Sequence, residues 1–530
     1  MAFGTVMSAT ISGINVEMIN VEADVSNGLP MFNMVGYLSS EVKEAGERVR
    51  TSLKNSGFEY PVKRIIVNLS PGTIRKRGAI FDLPIAIAIM ISAGQIPKEK
   101  VKNILVVGEL GLNGKLLKVN GLLAIVMEAK KQGVTTFIVP KENEREGNLV
   151  EGVKVYSFSM IREVFDFLVA PKGNHGESHL EKAQFVPGKV KKEGDGDEKG
   201  GTVKSEGGKG ERSTVDFSDI HGQRAAKRAV EIAVAGGHNV LLIGPPGSGK
   251  SLIAQGIPSI LPCLENGEML EITKIYSIMG LLKERNPLIT SPPFRAVHHT
   301  TTKASMVGGG TIPRIGEITL AHKGILYLDE LPEFSRTVME VLRQPLEDKS
   351  IEITRTTGSY SFPADFILVC AMNPCPCGMY PDLEKCTCSP TQITGYLGKI
   401  SQPFLDRVDI SIEVPRLKYA DLNKGGEEES SAVVRERIVA SRRRQYQRNP
   451  NKGVNASLSI KGVKECCALD KEGEELMEMA YHKLHLTARS YHKILKVART
   501  IADMEDSPRI LPKHLREGIA YRTLDKKYWR

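Results

Sequence analysis

Short apolar runs separated by polar turns outline the elements of the second half of the chain. Residues 239–243, 324–328 and 365–372 are almost wholly apolar, as strands buried on both faces of a sheet are. The segment 351–363 predicts two short strands around a turn. Residues 434–444 and residues 491–503 are each predicted to form a helix with a basic face. The pattern therefore predicts an α/β core followed by a basic helical region.

The low-complexity segment 171–213 divides the chain. It consists largely of Gly, Lys, Glu and Asp, so it cannot bury enough apolar surface to offset its ordering entropy. A length of 530 residues suggests about three domains. We predict an N-terminal domain at 1–170, a flexible linker at 171–213, an ATPase core at 214–415 and a helical lid at 416–530.

The composition is that of an ordinary globular protein, with 41% hydrophobic and 25% charged residues. The formal net charge of +10 favours an acidic partner, with nucleic acid as the leading candidate, although many proteins are equally basic. Met1–Val16 lacks the features of a signal peptide, and the longest apolar run, 83–93, is too short to span a bilayer. We therefore expect a cytoplasmic protein without membrane contact.

The most specific motif is a glycine-rich G-x-x-x-x-G-K-S sequence directly after the apolar run 239–243. Its glycines allow backbone N–H groups to converge on phosphate oxygens, and the following helix adds its positive end. We predict that it binds ATP, with the lysine reaching the phosphates and the serine holding Mg²⁺. The predicted nucleotide ligands are Gly244, Pro245, Pro246, Gly247, Ser248, Gly249, Lys250 and Ser251.

Polar side chains follow two other predicted strands. Asp329 and Glu330 end the run that begins at Gly324, about 80 residues after the P-loop. We expect this acidic strand to lie beside the P-loop strand, with Asp329 holding Mg²⁺ and Glu330 polarising the attacking water. Asn373 ends the run 365–372, and it can orient that water.

Two arginines are candidates for transition-state contacts. Arg407 follows the segment 403–406, and it could enter a neighbour's site if subunits form a ring. The alternative is an ordinary surface salt bridge. Arg489 opens the second basic helix and offers another positive charge to the phosphates, although it could equally lie on a solvated helix face.

The ordered set of motifs resembles the AAA+ ATPases, and within them the group of magnesium chelatase subunits and MCM helicases. Residues 294–310 correspond to that group's helix-2 insert, and residues 351–363 to its pre-sensor-1 hairpin. The resemblance implies that both project into a central pore. The candidate DNA contacts are Arg295, Lys303 and Arg355, and the alternative is that each is simply solvated.

More narrowly, the whole chain resembles the ComM/YifB family. The phrases that carry the resemblance are at residues 28–36, 67–71, 81–84, 298–300, 328–334, 373–378 and 495–503. The resemblance implies a hexameric ATP-driven DNA motor that promotes branch migration during recombination of incoming DNA. A protein-remodelling motor related to magnesium chelatase subunits is the alternative. A nucleotide-gated scaffold is a weaker one because Glu330 is present.

The N-terminal region resembles the proteolytic domain of the Lon proteases at residues 108–121 and 133–143. That domain uses a Ser nucleophile activated by a Lys. The corresponding nucleophile segment, 76–84, contains no serine, and Leu123 stands near the expected lysine position. The resemblance therefore implies a Lon-like α+β fold (ribosomal S5 domain 2-like) without protease activity.

Four of the eight cysteines form a C-x-C-x₈-C-x-C pattern, which offers two short hooks around a loop. Four thiolates can hold a structural Zn²⁺ with no coordination position left open. Reduced thiols in a surface loop are the alternative, since C-x₂-C is the commoner spacing. The candidate ligands are Cys375, Cys377, Cys386 and Cys388.

Overall fold

The computed structural model describes residues 3–170, 215–310, 314–355, 358–417 and 428–529. They form two compact units, each of which takes residues from two stretches of the chain. The first comprises Met1–Asp197 with Glu265–Thr290, and the second comprises Glu198–Leu264 with Ser291–Arg530. The predicted linker, 171–213, lies outside the described residues.

The first unit is built on a seven-stranded sheet and a small two-stranded ribbon. Its strands are β1 (Gly4–Ser12), β2 (Asn15–Ser26), β3 (Met31–Val35), β4 (Arg64–Ser70), β5 (Ile104–Val106), β6 (Glu109–Leu110), β7 (Leu116–Leu117), β8 (Thr136–Pro140) and β9 (Lys154–Phe158). The sheet order is β3-β4-β2-β1-β5-β8-β9, while β6 pairs with β7. The pairs β1–β2 and β2–β4 are antiparallel, and the others in the large sheet are parallel.

Helices cover this sheet, and the most apolar of them is central to the core. Asp82–Ser92 buries ten of its eleven residues, because its sequence is apolar on every side. The helices of the unit are Ser40–Lys43, Ala45–Asn55, Asp82–Ser92, Leu122–Lys131, Glu144–Gly147, Ile161–Val169 and Asn266–Ile278, with 3-10 turns at Ala79–Phe81, Lys98–Val101 and Lys141–Asn143.

The helix Asn266–Ile278 comes from the middle of the predicted ATPase range but packs in the first unit. The buried Glu146 carboxylate accepts hydrogen bonds from the Leu123 N–H, at 2.9 Å, and from the Ser277 hydroxyl. The Ser277 carbonyl accepts from the Gly121 N–H at 3.0 Å. Residues 265–290 thus interrupt the predicted ATPase core, 214–415, and belong to the first unit. The sequence does not show this, because the residues they pack against are distant in the chain.

The second unit contains a parallel five-stranded sheet and an antiparallel hairpin. Its strands are β10 (Val240–Ile243), β11 (Phe294–Val297), β12 (Ile325–Leu328), β13 (Ser350–Arg355), β14 (Gly358–Pro363), β15 (Ile367–Met372) and β16 (Ile410–Glu413). The sheet order is β11-β12-β15-β10-β16, and β13 pairs with β14 as predicted for the hairpin. This arrangement confirms the predicted α/β class.

The sheet order corrects one expectation. The acidic strand β12 does not lie beside the P-loop strand β10, because β15 pairs with both and separates them. All six residues of β15 are buried, and this apolar character on both faces suits the central position of a sheet.

The helices of the second unit flank this sheet and continue into a C-terminal group that contains both predicted basic helices. They are Arg224–Gly236, Lys250–Ile260, Lys303–Val307, Glu317–Leu320, Arg336–Val341, Arg343–Asp348, Pro390–Leu397, Gln402–Leu405, Ser431–Arg448, Ile460–Cys466, Lys471–Leu484, Ala488–Met504 and Pro512–Tyr528, with 3-10 turns at Phe217–Asp219, Leu331–Glu333 and Asn455–Ser457.

The segment 294–310, predicted as an insert, begins as part of the core sheet. Its first four residues form β11, which pairs in parallel with β12. A short helix, Lys303–Val307, follows after a loop. The insertion therefore starts after β11. A stretch as short as Phe294–Val297 does not show from sequence alone whether it is a strand of the core sheet or the beginning of the insert.

Candidate nucleotide site

Three neighbouring parallel strands end at the same edge of the second unit's sheet. β10 leads into the P-loop, β15 leads to Asn373, and β12 leads to Asp329 and Glu330. Because parallel strands present their carboxyl ends together, these polar groups meet although they are far apart in sequence.

The P-loop has the backbone geometry that its glycines predict. Gly247 and Gly249 adopt φ values of 76° and 90°, in the left-handed region that favours glycine. Gly249 precedes the helix Lys250–Ile260, whose N-terminal N–H groups and dipole favour an anion. A side chain on Gly244 would clash with the carbonyl oxygen of Val414, so this position also requires glycine.

Lys250 occupies the centre of the loop and is largely buried. Its ammonium donates to the carbonyl oxygens of Gly244, at 2.7 Å, and Pro245, at 2.9 Å. It also donates to Asn373 Oδ1 at 3.1 Å, which joins the P-loop directly to the end of β15. Burial lowers the pKa of Lys250, so a phosphate anion would restore a counter-charge to this ammonium.

Ser251 and Asp329 supply two oxygen ligands at one point. The Ser251 hydroxyl donates to Asp329 Oδ2 at 2.9 Å. Tyr327 reinforces the pair, since its hydroxyl lies 3.4 Å from Ser251 Oγ and its pKa is raised by burial. A hydroxyl beside a carboxylate is the donor set that Mg²⁺ takes in phosphate-binding sites, so the residues fit that ion.

Glu330 lies at the rim of the site, with 58% of its side chain exposed. Its backbone has φ 52° and ψ 49°, an uncommon conformation for a non-glycine residue that is typical of functional positions. The carboxylate lies 3.5 Å from Nδ1 of His299, which follows β11, and the His299 ring packs against that of His298 at 4.1 Å. Glu330 therefore lies next to a side chain from the loop that follows the neighbouring strand β11.

The two candidate arginines share one partner. Arg407 Nη2 lies 2.9 Å from Glu347 Oε1, and Arg489 Nη2 lies 2.5 Å from the same oxygen. Arg407 retains only 8% of its side-chain exposure, whereas Arg489 retains 49%. Within one chain both guanidinium groups are thus directed to the helix Arg343–Asp348.

The three candidate DNA contacts differ in their surroundings. Arg295 lies on β11 and forms a two-bond ion pair with Glu317, at 2.7 and 2.9 Å, so its guanidinium is engaged within the unit. Lys303 begins a short helix, and Arg355 ends β13 at the turn of the hairpin. Both Lys303 and Arg355 are exposed.

The four cysteines of the predicted metal site come together. Their sulfur atoms all lie within 4.8 Å of one another, and Cys375, Cys377 and Cys386 are separated by 3.4 to 3.8 Å. Zn–S bonds of about 2.3 Å in a tetrahedron place the sulfurs about 3.8 Å apart, so the cluster has the dimensions of a zinc site. A hydrogen bond from the Met379 backbone lowers the pKa of Cys377 to about 6, whereas desolvation and the neighbouring sulfurs of Cys375 and Cys377 raise the pKa values of Cys386 and Cys388.

Sequence reasoning assigned no role to three residues of this region. His299 stands in the motif His298-His-Thr300, which offered a signal, but its contact with Glu330 depends on the pairing of β11 with β12. Tyr327 resembles any apolar residue of a buried strand. Glu347 belongs to a charged helix, and nothing in its local sequence indicates that two distant arginines share it.

Among the helices that the structure describes, none has the length and apolarity needed to cross a bilayer.

Three family models match this chain. Residues 216–422 match magnesium chelatase, subunit ChlI; residues 21–143 match the subunit ChlI of Mg-chelatase; and residues 428–522 match the ChlI C-terminal region. A Lon protease of Geobacter metallireducens is 24% identical over 173 residues, which cover 30% of this chain and 21% of that protein.

Two relatives match along almost their whole length. Competence protein ComM of Haemophilus influenzae is 40% identical over 526 residues, covering 99% of this chain and 98% of the relative. The uncharacterized protein YifB of Escherichia coli is also 40% identical, over 527 residues and with the same coverage. The chain therefore belongs to the ComM/YifB family of magnesium chelatase-like AAA+ ATPases.

Proposed function

We propose that this protein is a hexameric, ATP-hydrolysing DNA motor that promotes branch migration or unwinding during recombination of incoming DNA. The observation that carries the proposal is the meeting of Lys250 with Asn373, and of Ser251 with Asp329, at one sheet edge. The name of the Haemophilus relative, a competence protein, favours DNA as the substrate.

The residues divide the chemistry of hydrolysis among them. The P-loop N–H groups and Lys250 bind the phosphates, while Ser251 and Asp329 hold Mg²⁺, which neutralises phosphate charge when bound. Glu330 accepts a hydrogen bond from the attacking water and aligns it for attack. Asn373 holds Lys250 in place and can contact the same water, since its amide lies at the end of the neighbouring strand.

Arg407 and Arg489 contact the phosphates during hydrolysis. Arg407 enters the nucleotide site of a neighbouring subunit, while Arg489 acts either in its own subunit or in a neighbouring one. Both now pair with Glu347, so each would exchange that carboxylate for phosphate charge when the ring forms. For Arg489, whose side chain is 49% exposed, the exchange gives up an ion pair worth about 0–1 kcal/mol, whereas Arg407, with 8% exposure, must also leave a largely buried position. An arginine that reaches a neighbour's phosphates accelerates the reaction by about 10³–10⁵.

DNA contact is assigned to Lys303 and Arg355. Lys303 lies on a short helix and Arg355 at the end of β13, and both side chains are exposed, whereas Arg295 is paired with Glu317. Contacts from lysine and arginine to phosphates are independent of base sequence, as a motor requires.

The first unit serves in ring assembly or DNA contact rather than proteolysis. Lys76, in the segment that corresponds to the Lon nucleophile, is fully buried and donates to the carbonyl oxygen of Pro71. Leu123 is also fully buried. No serine in residues 76–84 is available as a nucleophile, so a Ser–Lys dyad at these positions is not formed.

ATP turnover measured with no DNA, single strands, duplex and four-way junctions tests the proposal. We expect DNA to stimulate ATP turnover and the protein to separate four-way junctions into their component duplexes. Glu330→Gln should abolish ATP turnover and junction separation but retain nucleotide binding. Turnover that is unaffected by every DNA, together with an absence of DNA binding, would instead support the protein-remodelling alternative.

A further inference from the structure

The loop that carries the four cysteines connects two parts of the nucleotide site. It begins directly after Asn373, whose side chain accepts a hydrogen bond from Lys250. Cys375 follows two residues later and is fully buried. Gly378 directly follows this first hook, Cys375-Pro-Cys377, and lies against Pro246 of the P-loop.

The approach of Gly378 to the P-loop leaves no room for a side chain. A Cβ built on Gly378 would lie 3.2 Å from Pro246 Cγ and closer still to Cδ. The residue is buried and has φ 78°, so both space and backbone conformation require glycine. Pro246 is otherwise exposed, and Gly378 therefore forms one wall of the phosphate-binding loop.

The loop has no regular secondary structure, and its Tyr380 ring contacts that of Tyr528 with ring centroids 6.0 Å apart. Residues 373–389 contain neither helix nor strand, since β15 ends at Met372 and the next helix begins at Pro390. The internal bonds are single turns, such as Gly378 N–H to the Cys375 carbonyl at 3.0 Å and Cys386 N–H to the Asp382 carbonyl at 2.8 Å. A bound metal would join both ends of this loop through four bonds.

We propose that a tetrahedral metal ion of the Zn²⁺ type, bound by Cys375, Cys377, Cys386 and Cys388, holds Gly378 against the P-loop, so that metal occupancy sets nucleotide affinity. This inference rests on nucleotide binding at the P-loop and extends it, because it makes the cysteine cluster part of that site. Loss of the metal releases the loop, and the P-loop then loses a wall that orders it for phosphate.

Two kinds of variant of the full chain separate metal binding from the contact. Cys377→Ser and Cys386→Ser each remove a ligand. Gly378→Ala keeps all four thiols but forces the loop away from Pro246. Matched controls are Cys263→Ser, an exposed cysteine elsewhere, and Gly395→Ala, where a Cβ meets no atom within 4 Å.

Bound zinc is measured by elemental analysis, and affinity is measured by titration with a fluorescent ADP analogue. We expect about one zinc per parent chain, loss of zinc in both cysteine variants, and retained zinc in Gly378→Ala. The nucleotide Kd should rise about tenfold or more in all three variants, equivalent to about 1.4 kcal/mol, and stay within about twofold in the controls.

The outcomes are distinguishable because each readout stands alone. A parent chain that neither contains zinc nor takes it up from solution overturns the metal site. An unchanged Kd in Gly378→Ala, with the fold intact by tryptophan fluorescence, overturns the coupling even if zinc is present. A parent that carries zinc but binds no nucleotide contradicts the proposed function instead.

Discussion

Acidification should destabilise the second unit through the buried histidine His238. Its ring is almost fully buried just before the P-loop strand β10, and Nε2 lies 2.8 Å from Thr500 Oγ1 on the helix Ala488–Met504. Burial lowers the pKa of His238 from 6.5 to about 4, although the nearby Asp409 opposes the shift. The neutral ring therefore joins the sheet to the C-terminal helices.

The size of the effect follows from the pKa difference between the folded and unfolded states. The unfolded chain takes up the proton near pH 6.5 and the folded unit only near pH 4, so this stability is present above pH 6.5 and is lost as pH falls toward 4. Between pH 7 and pH 5 the loss is about 2 kcal/mol. Asp409, whose pKa is held near 2 by Lys493 despite its burial, stays ionised over this interval.

The chain has one tryptophan, Trp529, whose indole N–H donates to the Leu397 carbonyl at 3.0 Å within the second unit. Its fluorescence during urea unfolding at pH 7 and pH 5 therefore reports on that unit. We compare the parent with His238→Gln, which keeps a hydrogen-bonding group but cannot titrate, and with His221→Gln at an exposed position. The parent should lose about 2 kcal/mol more than His238→Gln. Equal losses in those two proteins would refute the reasoning.

Three further predictions concern hydrolysis and DNA. Glu330→Gln should lower single-turnover hydrolysis by about 10²–10⁴-fold with unchanged nucleotide affinity, and normal hydrolysis would exclude Glu330 as the residue that activates water. Rings mixed from Arg407→Ala and Lys250→Ala subunits should recover turnover at interfaces where an intact P-loop meets an intact arginine; no recovery at any ratio contradicts action between subunits. Replacing Lys303 and Arg355 by alanine should reduce the slope of log K against log salt by about 1.8 on duplex DNA, since each phosphate contact contributes about 0.9. An unchanged slope would show that DNA does not contact Lys303 and Arg355. ATP binding in the absence of DNA is the control and should be unchanged.

The sequence by itself determined the local elements of the site. Apolar runs predicted β10, β12 and β15, and the P-loop pattern predicted the turn and helix that follow β10. These predictions succeed because strand burial and the conformations of Gly247 and Gly249 are properties of a few adjacent residues. The hairpin β13–β14 and the gathering of the four cysteines were predicted for the same reason, since each lies within a short segment.

The tertiary structure decided which of these elements meet. The position of β15 between β12 and β10, the transfer of residues 265–290 to the first unit, and the sharing of Glu347 by Arg407 and Arg489 all depend on pairing between distant segments. Many different strand orders and helix contacts would bury the same apolar residues, so the local sequence does not discriminate between them. The packing of the whole unit selects one arrangement, because its free energy depends on the total buried surface and on hydrogen bonds to every buried polar group, such as Glu146.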